Sequence, residues 1–322
     1  MFPPAPMRIL RGMRAIVVHG GAGQWSPAGL DLAPSGVAAA VNGGYQVLAQ
    51  GGSALRAVVA AVAILEDHTA FNAGTGSCLN LAGDIEMDAS VMEGHTLAAG
   101  GVGGLRQVRN PVHVAQLVLR DTGHVLLVGE GALRFARTAG FPPYDPRTPH
   151  RREAYDRRMS QGPHPPGATW TGDHGRLGDR GEGGDTVGAV ALDEHGHFAA
   201  ATSTGGVSLK LPGRVGDSAI PGAGNYACRH AAASATGQGE LMMRMLTAKL
   251  YCDQIGGGAS AQQAIDAVLA QMLATFGPAG AHVGLIGLDA DGGIGIGHAT
   301  PAMPHGWYTQ GMDAPKVRML TP

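Results

Sequence analysis

The sequence predicts a layered α/β fold, and three observations carry the prediction. Short apolar or alternating runs that read as strands stand both before and after segments with helical spacing. They do not alternate with helices in the regular order of a doubly wound parallel sheet, so separate layers are favoured. Two of the runs, either side of residue 195, are joined by a tight polar turn and so form an antiparallel hairpin.

Taken in order, Arg14 to Val18 is a short β-branched run that enters His19-Gly20-Gly21-Ala22-Gly23, a strand ending in a loop of permissive backbone. Two helices follow. The second has Ser53 as its N-cap, and Leu55, Val58, Val59, Val62 and Leu65 line one face at helical spacing. A loop spans Asp67 to Leu81, Asp84 to Met92 alternates as a strand does, and 96–102 continues it as a hairpin. Helical spacing returns at Val112 to Leu119 and Glu130 to Thr138. From Phe141 to Gly184 the chain is rich in Pro, Gly, Arg, Asp and His with little apolar periodicity, which predicts a mobile linker outside the core. Thr186 to Leu192 and Phe198 to Thr204 form the hairpin. A Gly-rich polar loop runs from Gly205 to Gly224. Helices are expected between Tyr226 and Thr236, at Leu241 to Asp253 and at Ala261 to Leu273, and strands at Val283 to Leu288 and Ile294 to His298.

Composition narrows the function. A formal charge of -2 without long blocks of one sign gives no footprint for nucleic acid or an anionic membrane, so a small polar substrate is the default. The 53 glycines follow no collagen period and need local explanations. Cys78, Cys228 and Cys252 stand far apart, which suggests neither a zinc ribbon nor a disulfide framework and fits a reducing compartment. With no signal-peptide core or membrane-length apolar run, a cytoplasmic protein is expected. His195 and His197 have metal-like spacing but sit at a predicted turn without a third ligand.

The chemistry centres on Gly183-Gly184-Asp185-Thr186-Val187, where the linker meets a strand. Thr186 could simply start the strand. It could also be a nucleophile: a hydroxyl needs a neighbouring base, and a free α-amine, with a pKa of about 7.7–8.0, supplies one once the bond before the threonine is cut. The preceding glycines permit the hydroxyl to approach the carbonyl of Asp185, so the precursor could cleave itself through an ester.

Several blocks, in order, resemble the plant-type asparaginases or isoaspartyl peptidases. They are His19-Gly20-Gly21-Ala22-Gly23, Phe71-Asn72-Ala73-Gly74, Met87-Asp88-Ala89-Ser90-Val91-Met92, Thr186 to Ala191, Thr202-Ser203-Thr204-Gly205-Gly206, Gly213-Arg214-Val215-Gly216-Asp217-Ser218 and Thr236-Gly237-Gln238-Gly239-Glu240. The resemblance spans most of the chain apart from the linker. It implies an αββα sandwich of the N-terminal-nucleophile hydrolase type, autocleavage between Asp185 and Thr186 into an α subunit (1–185) and a β subunit (186–322), a dimer of such heterodimers, and hydrolysis of L-asparagine and β-aspartyl dipeptides.

Carried over residue by residue, the resemblance makes Thr186 the nucleophile, with Thr204 polarising its hydroxyl or holding its amine, and places Asn72 nearby, either in the site or as a loop-stabilising amide. Arg214 offers a planar fork to a carboxylate and Asp217 accepts from an ammonium, so together they suit an amino-acid head group, although they could instead pair with each other. The Thr236 hydroxyl and the Gly237 N–H would receive the oxyanion. Main-chain carbonyls of Leu65, Glu66, His68, Phe71, Ala73 and Thr75 would wrap a structural sodium ion; no catalytic cofactor is implied. Alternatives are a glycosylasparaginase-like (aspartylglucosaminidase) activity or an inactive scaffold of the same fold.

Overall fold

The computed structural model describes residues 12–160 and 186–319. In its first part the chain forms β1 (Ala15–His19), α1 (Pro27–Ala49), α2 (Ala54–Asp67), β2 (Met87–Glu93), β3 (Ala99–Leu105), α3 (Pro111–Asp121), β4 (Leu126–Val128), α4 (Gly129–Thr138) and α5 (Pro149–Met159). The second part forms β5 (Val187–Leu192), β6 (Phe198–Thr204), β7 (Asn225–Cys228), β8 (Ala231–Gly237), α6 (Gly239–Met245), α7 (Thr247–Gly256), α8 (Ala261–Phe276), β9 (Val283–Asp289), β10 (Ile294–His298), β11 (His305–Thr309) and β12 (Lys316–Arg318). Helix starts are chemically marked. Ser26, Ser53 and Ser260 accept from the first-turn N–H groups of α1, α2 and α8, and Ser260 with Gln263 completes a capping box, each cap stabilising by about 1 kcal/mol.

The strands make an eight-stranded sheet, ordered β12-β11-β1-β5-β6-β2-β3-β4, and a four-stranded sheet, ordered β10-β9-β8-β7. Alternation along each strand then sorts the core into layers. On β5, Val187, Ala189 and Ala191 face α2, whereas Val190 and Leu192 face the second sheet, meeting Ala232, Ile286 and Leu288. The odd-numbered residues Ala231, Ala233 and Ala235 of β8 pack instead against α7, while α8 covers β9 and β10. Helices, sheet, sheet and helices are therefore stacked in the αββα order. No helix among the described residues is long and apolar enough to cross a membrane.

Four expectations need correction. Between Tyr226 and Thr236 the chain forms the β7–β8 hairpin rather than a helix: alanine favours helices in isolation, but its small side chain suits a strand buried on both faces, and every residue of β8 is buried. The single helix expected over 241–253 is two, broken at Leu246, which takes left-handed backbone angles (φ 50°, ψ 54°). The start of the expected linker is ordered. Thr148 caps α5, Pro149 occupies its first turn, and the buried Arg151 donates from Nε to the Gly76 carbonyl at 2.6 Å, so polar contacts anchor a segment with little apolar surface. The rest of that segment, from 161 to 184, lies outside the described residues. Finally, β4, β11 and β12 had no strand reading; β4 and β12 are three residues each, too short for a period to register.

Candidate active site

The residues singled out from the sequence gather at one end of the sandwich, between the two sheets. Pairing of β5 with β6 sets Val187 opposite Ser203, so the register continues to Thr186 opposite Thr204, and pairing of β2 with β6 sets Asp88 opposite Thr204. Directly opposed residues of antiparallel strands share a face, with Cβ atoms about 4.5–5.5 Å apart. That face is the one carrying Val190, Leu192, Phe198 and Ala200, so Thr186 and Thr204 look towards the four-stranded sheet. Thr186 is 4 % exposed, and the Thr204 hydroxyl accepts from Gly206 N–H at 2.9 Å. Asp185 lies outside the described residues.

From the opposite sheet, β8 presents Ser234 and Thr236 to the same gap. The Thr236 Oγ1 accepts from Ala22 N–H at 3.1 Å, which leaves its own hydroxyl proton available to donate. Two bonds staple this strand to the end of β1: the Ala22 contact, and His19 Nε2 to Ser234 Oγ at 2.8 Å. Burial pushes the His19 ring down to about 3, so it is neutral; the Thr186 carbonyl opposes that shift and His305 adds to it. Gly188 is required here, because a Cβ would overlap both Ser234 Oγ and His19 Nε2. Gly237 is required for another reason: its φ of +132° is a glycine conformation, and a Cβ would overlap the His282 carbonyl.

Arg214 and Asp217 close the site from the Gly-rich loop. Arg214 donates Nε to Glu240 Oε1 at 2.9 Å, and its Nη2 stands 2.8 Å from the same oxygen. A Cβ placed on Gly239 would touch both Asp217 Oδ1 and Arg214 Nη2, so the turn after β8 abuts the pair. Asp217 is 3 % exposed, and its Oδ2 has no hydrogen-bond partner among the described residues. Burial pushes its carboxyl up to about 7, against the opposing pull of Arg214, with Glu240 and Asp88 reinforcing the rise.

Asn72 is placed beside the strand end but faces the loops. Its Nδ2 donates to Gly206 O at 2.7 Å and its Oδ1 accepts from Cys78 N at 2.8 Å, the geometry of a loop-holding amide. The chain from Leu65 to Thr75 folds back so that Thr75 N–H meets the Glu66 carbonyl at 2.7 Å, and the Leu65 and His68 carbonyls accept from His68 and Phe71 N–H groups. Each of these oxygens keeps a second lone pair, and they stand at the negative end of α2, so the donor set fits a hard cation such as sodium.

A family model described as Asparaginase matches residues 12–317. The chain belongs to the asparaginase family. Its relatives include the plant-type L-asparaginase of Pyrococcus furiosus, 43 % identical over 95 % of this chain and 99 % of that one. The isoaspartyl peptidase of Escherichia coli is 39 % identical over 94 % of this chain and 95 % of its own. The isoaspartyl peptidase/L-asparaginase of Xenopus laevis is 43 % identical over 82 % and 83 %. Membership accounts for the layered fold and for the order of the blocks around Thr186.

Sequence reasoning missed four contributors. Ser234 is one more small residue in an alanine run. Glu86, Lys210 and Glu240 carried no local pattern, although Glu240 ends a block quoted above.

Proposed function

We propose that the protein is an autoproteolytically activated amidohydrolase that cleaves the side-chain amide of L-asparagine and the isopeptide bond of β-aspartyl dipeptides through an acyl-enzyme on Thr186. The observation that carries the reading is the buried Asp217 Oδ2, an acceptor with no hydrogen-bond partner among the described residues, beside the cationic Arg214 at the end of the sheets where Thr186 stands. A buried acceptor left unsatisfied costs about 1–3 kcal/mol, and a substrate ammonium removes that cost.

With the α-carboxylate on Arg214 and the ammonium on Asp217, the side-chain carbonyl reaches Thr186. The free amine of Thr186 takes the hydroxyl proton as Oγ attacks, and the oxyanion settles on the Thr236 hydroxyl and the Gly237 N–H. Thr204 holds the amine. The ammonium form of Thr186 then protonates the leaving ammonia or amine, the C–N bond breaks, and an aspartyl ester remains. Water gives a proton to the amine and attacks the ester; the ammonium so formed returns that proton to Thr186 Oγ as the acyl–oxygen bond breaks and aspartate leaves. Cleavage before Thr186 creates the amine, divides the chain into its α and β fragments, and two such heterodimers associate. Sodium bound to the carbonyls of Leu65, Glu66, His68, Phe71, Ala73 and Thr75 would hold the loop that carries Asn72 by supplying positive charge to oxygens.

The test is a panel of L-asparagine, β-aspartyl-leucine and N-glycosylated asparagine on the matured protein. Turnover of the first two supports the reading. Turnover of the glycosylated substrate alone replaces it with a glycosylasparaginase, and turnover of none replaces it with an inactive scaffold.

A further inference from the structure

The acidic pair Glu86 and Asp88 takes no part in the chemistry above, yet both side chains reach the loop that carries Arg214 and Asp217. Glu86 Oε2 accepts from Gly213 N–H at 2.9 Å, and Asp88 Oδ2 accepts from Gly216 N–H at 2.8 Å, so the two bonds bracket Arg214. Lys210 Nζ, buried in the same loop, donates to the Glu86 carbonyl at 2.7 Å. The remaining oxygens are also committed: Asp88 Oδ1 accepts from Gly104 N–H at 2.8 Å and Glu86 Oε1 from Arg106 Nη2 at 2.6 Å. Asp88 is fully buried and Glu86 nearly so. Carboxylate to N–H bonds in such a setting are among the stronger and more directional hydrogen bonds.

Asp88 also stands opposite Thr204 in the ladder, and Thr204 opposite Thr186 by continuation of the register. One row of three strands therefore fixes the nucleophile at one end and, through Asp88, the head-group loop at the other. We propose that Glu86 and Asp88 are positioning residues that act as a ruler, setting the distance from the Arg214–Asp217 clamp to Thr186 so that a carbonyl one methylene beyond the α-carbon is accepted and one two methylenes beyond is rejected. This rests on the head-group reading of Arg214 and Asp217.

In Asp88→Asn the amide keeps one acceptor but turns an NH2 towards one of the two N–H donors that the carboxylate received, which lets the loop shift. Misplacement by about 1 Å is enough to cost about a hundredfold in rate, whereas one methylene ordinarily discriminates by about 10–200-fold. The assay measures kcat/KM for L-asparagine and for L-glutamine in the wild type, Asp88→Asn, Glu86→Gln and Arg214→Ala. The ratio of the two substrates cancels any loss of folded or matured protein, so a merely structural role leaves it unmoved. The ruler predicts that the asparagine preference falls about tenfold in Asp88→Asn, and in the same direction in Glu86→Gln, which serves alone if Asp88→Asn does not mature. An unchanged preference in a matured variant overturns the ruler. If Arg214→Ala leaves the asparagine KM unaltered, the head-group reading itself fails; a raised KM there with an unchanged preference in the Asp88 and Glu86 variants removes the ruler alone.

Discussion

Replacing Asp217 by asparagine preserves shape and removes only the charge, and its consequence depends on pH in a way the structure fixes. Burial holds the Asp217 carboxyl at about 7 in the free protein. Above that value it is ionised and, on the proposed reading, binds the substrate ammonium; below it the acid is neutral and resembles the amide that replaces it. A hydrogen bond to a charged group contributes about 1.5–3 kcal/mol, so at pH 9 the variant loses roughly 10–100-fold in kcat/KM. As pH falls through 7 the wild type loses its ionised form about tenfold per pH unit, until near pH 5 the two proteins converge. On the proposed mechanism the Thr186 amine titrates in both and cancels in their ratio. Steady-state assays on L-asparagine from pH 5 to pH 9 give that ratio directly. A ratio that stays flat across the range refutes the assignment of Asp217 to the ammonium.

Thr236→Val keeps the shape of the side chain but removes the hydroxyl; kcat for asparagine should fall about 10²–10³-fold with KM moving only a few-fold, read from initial rates. Glu66, fully buried beneath β6, has its carboxyl pushed up to about 8, chiefly by burial and against hydrogen bonds from Ser203, Val112 and Asn110. Because this folded value lies above the unfolded one, its stabilising protonation is fully present below about pH 4.5 and is lost as pH rises through 8. Glu66→Gln should therefore melt with the wild type near pH 4 and above it at pH 9, as thermal unfolding at both values measures. Gly188→Ala inserts a methyl between Ser234 and His19; overpacking of about 1–3 kcal/mol together with the lost staple should lower the melting temperature by several degrees.

The parts of the site that were legible in the sequence are those whose chemistry shows in short strings. Thr186 stood out because a glycine-rich polar segment meets an apolar strand there, and Arg214 and Asp217 because two charges in a glycine-rich loop lack helical partners. What was hidden depends on tertiary contact. Whether Ala231 to Thr236 is helix or strand is decided by burial on both faces, which propensity does not contain. Asp88 was visible within a block, but its reach to Gly216 joins positions 128 residues apart in the chain. The His19–Ser234 staple spans 215 residues; His19 was visible within a block, but Ser234 has no local signature. Asn72 was placed near Thr186 with two readings open, and its amide geometry supports the loop-holding one.

The central claim is that Thr186 becomes the nucleophile when the bond before it is broken. Intact-mass analysis of the purified wild type and of Thr186→Ala, paired with asparagine hydrolysis on the same samples, tests it most directly. The account predicts two wild-type fragments, one ending at Asp185 and one beginning at Thr186, appearing together with activity, and a single inert chain for the variant. Turnover by Thr186→Ala, or full activity in an uncut wild-type chain, would contradict it.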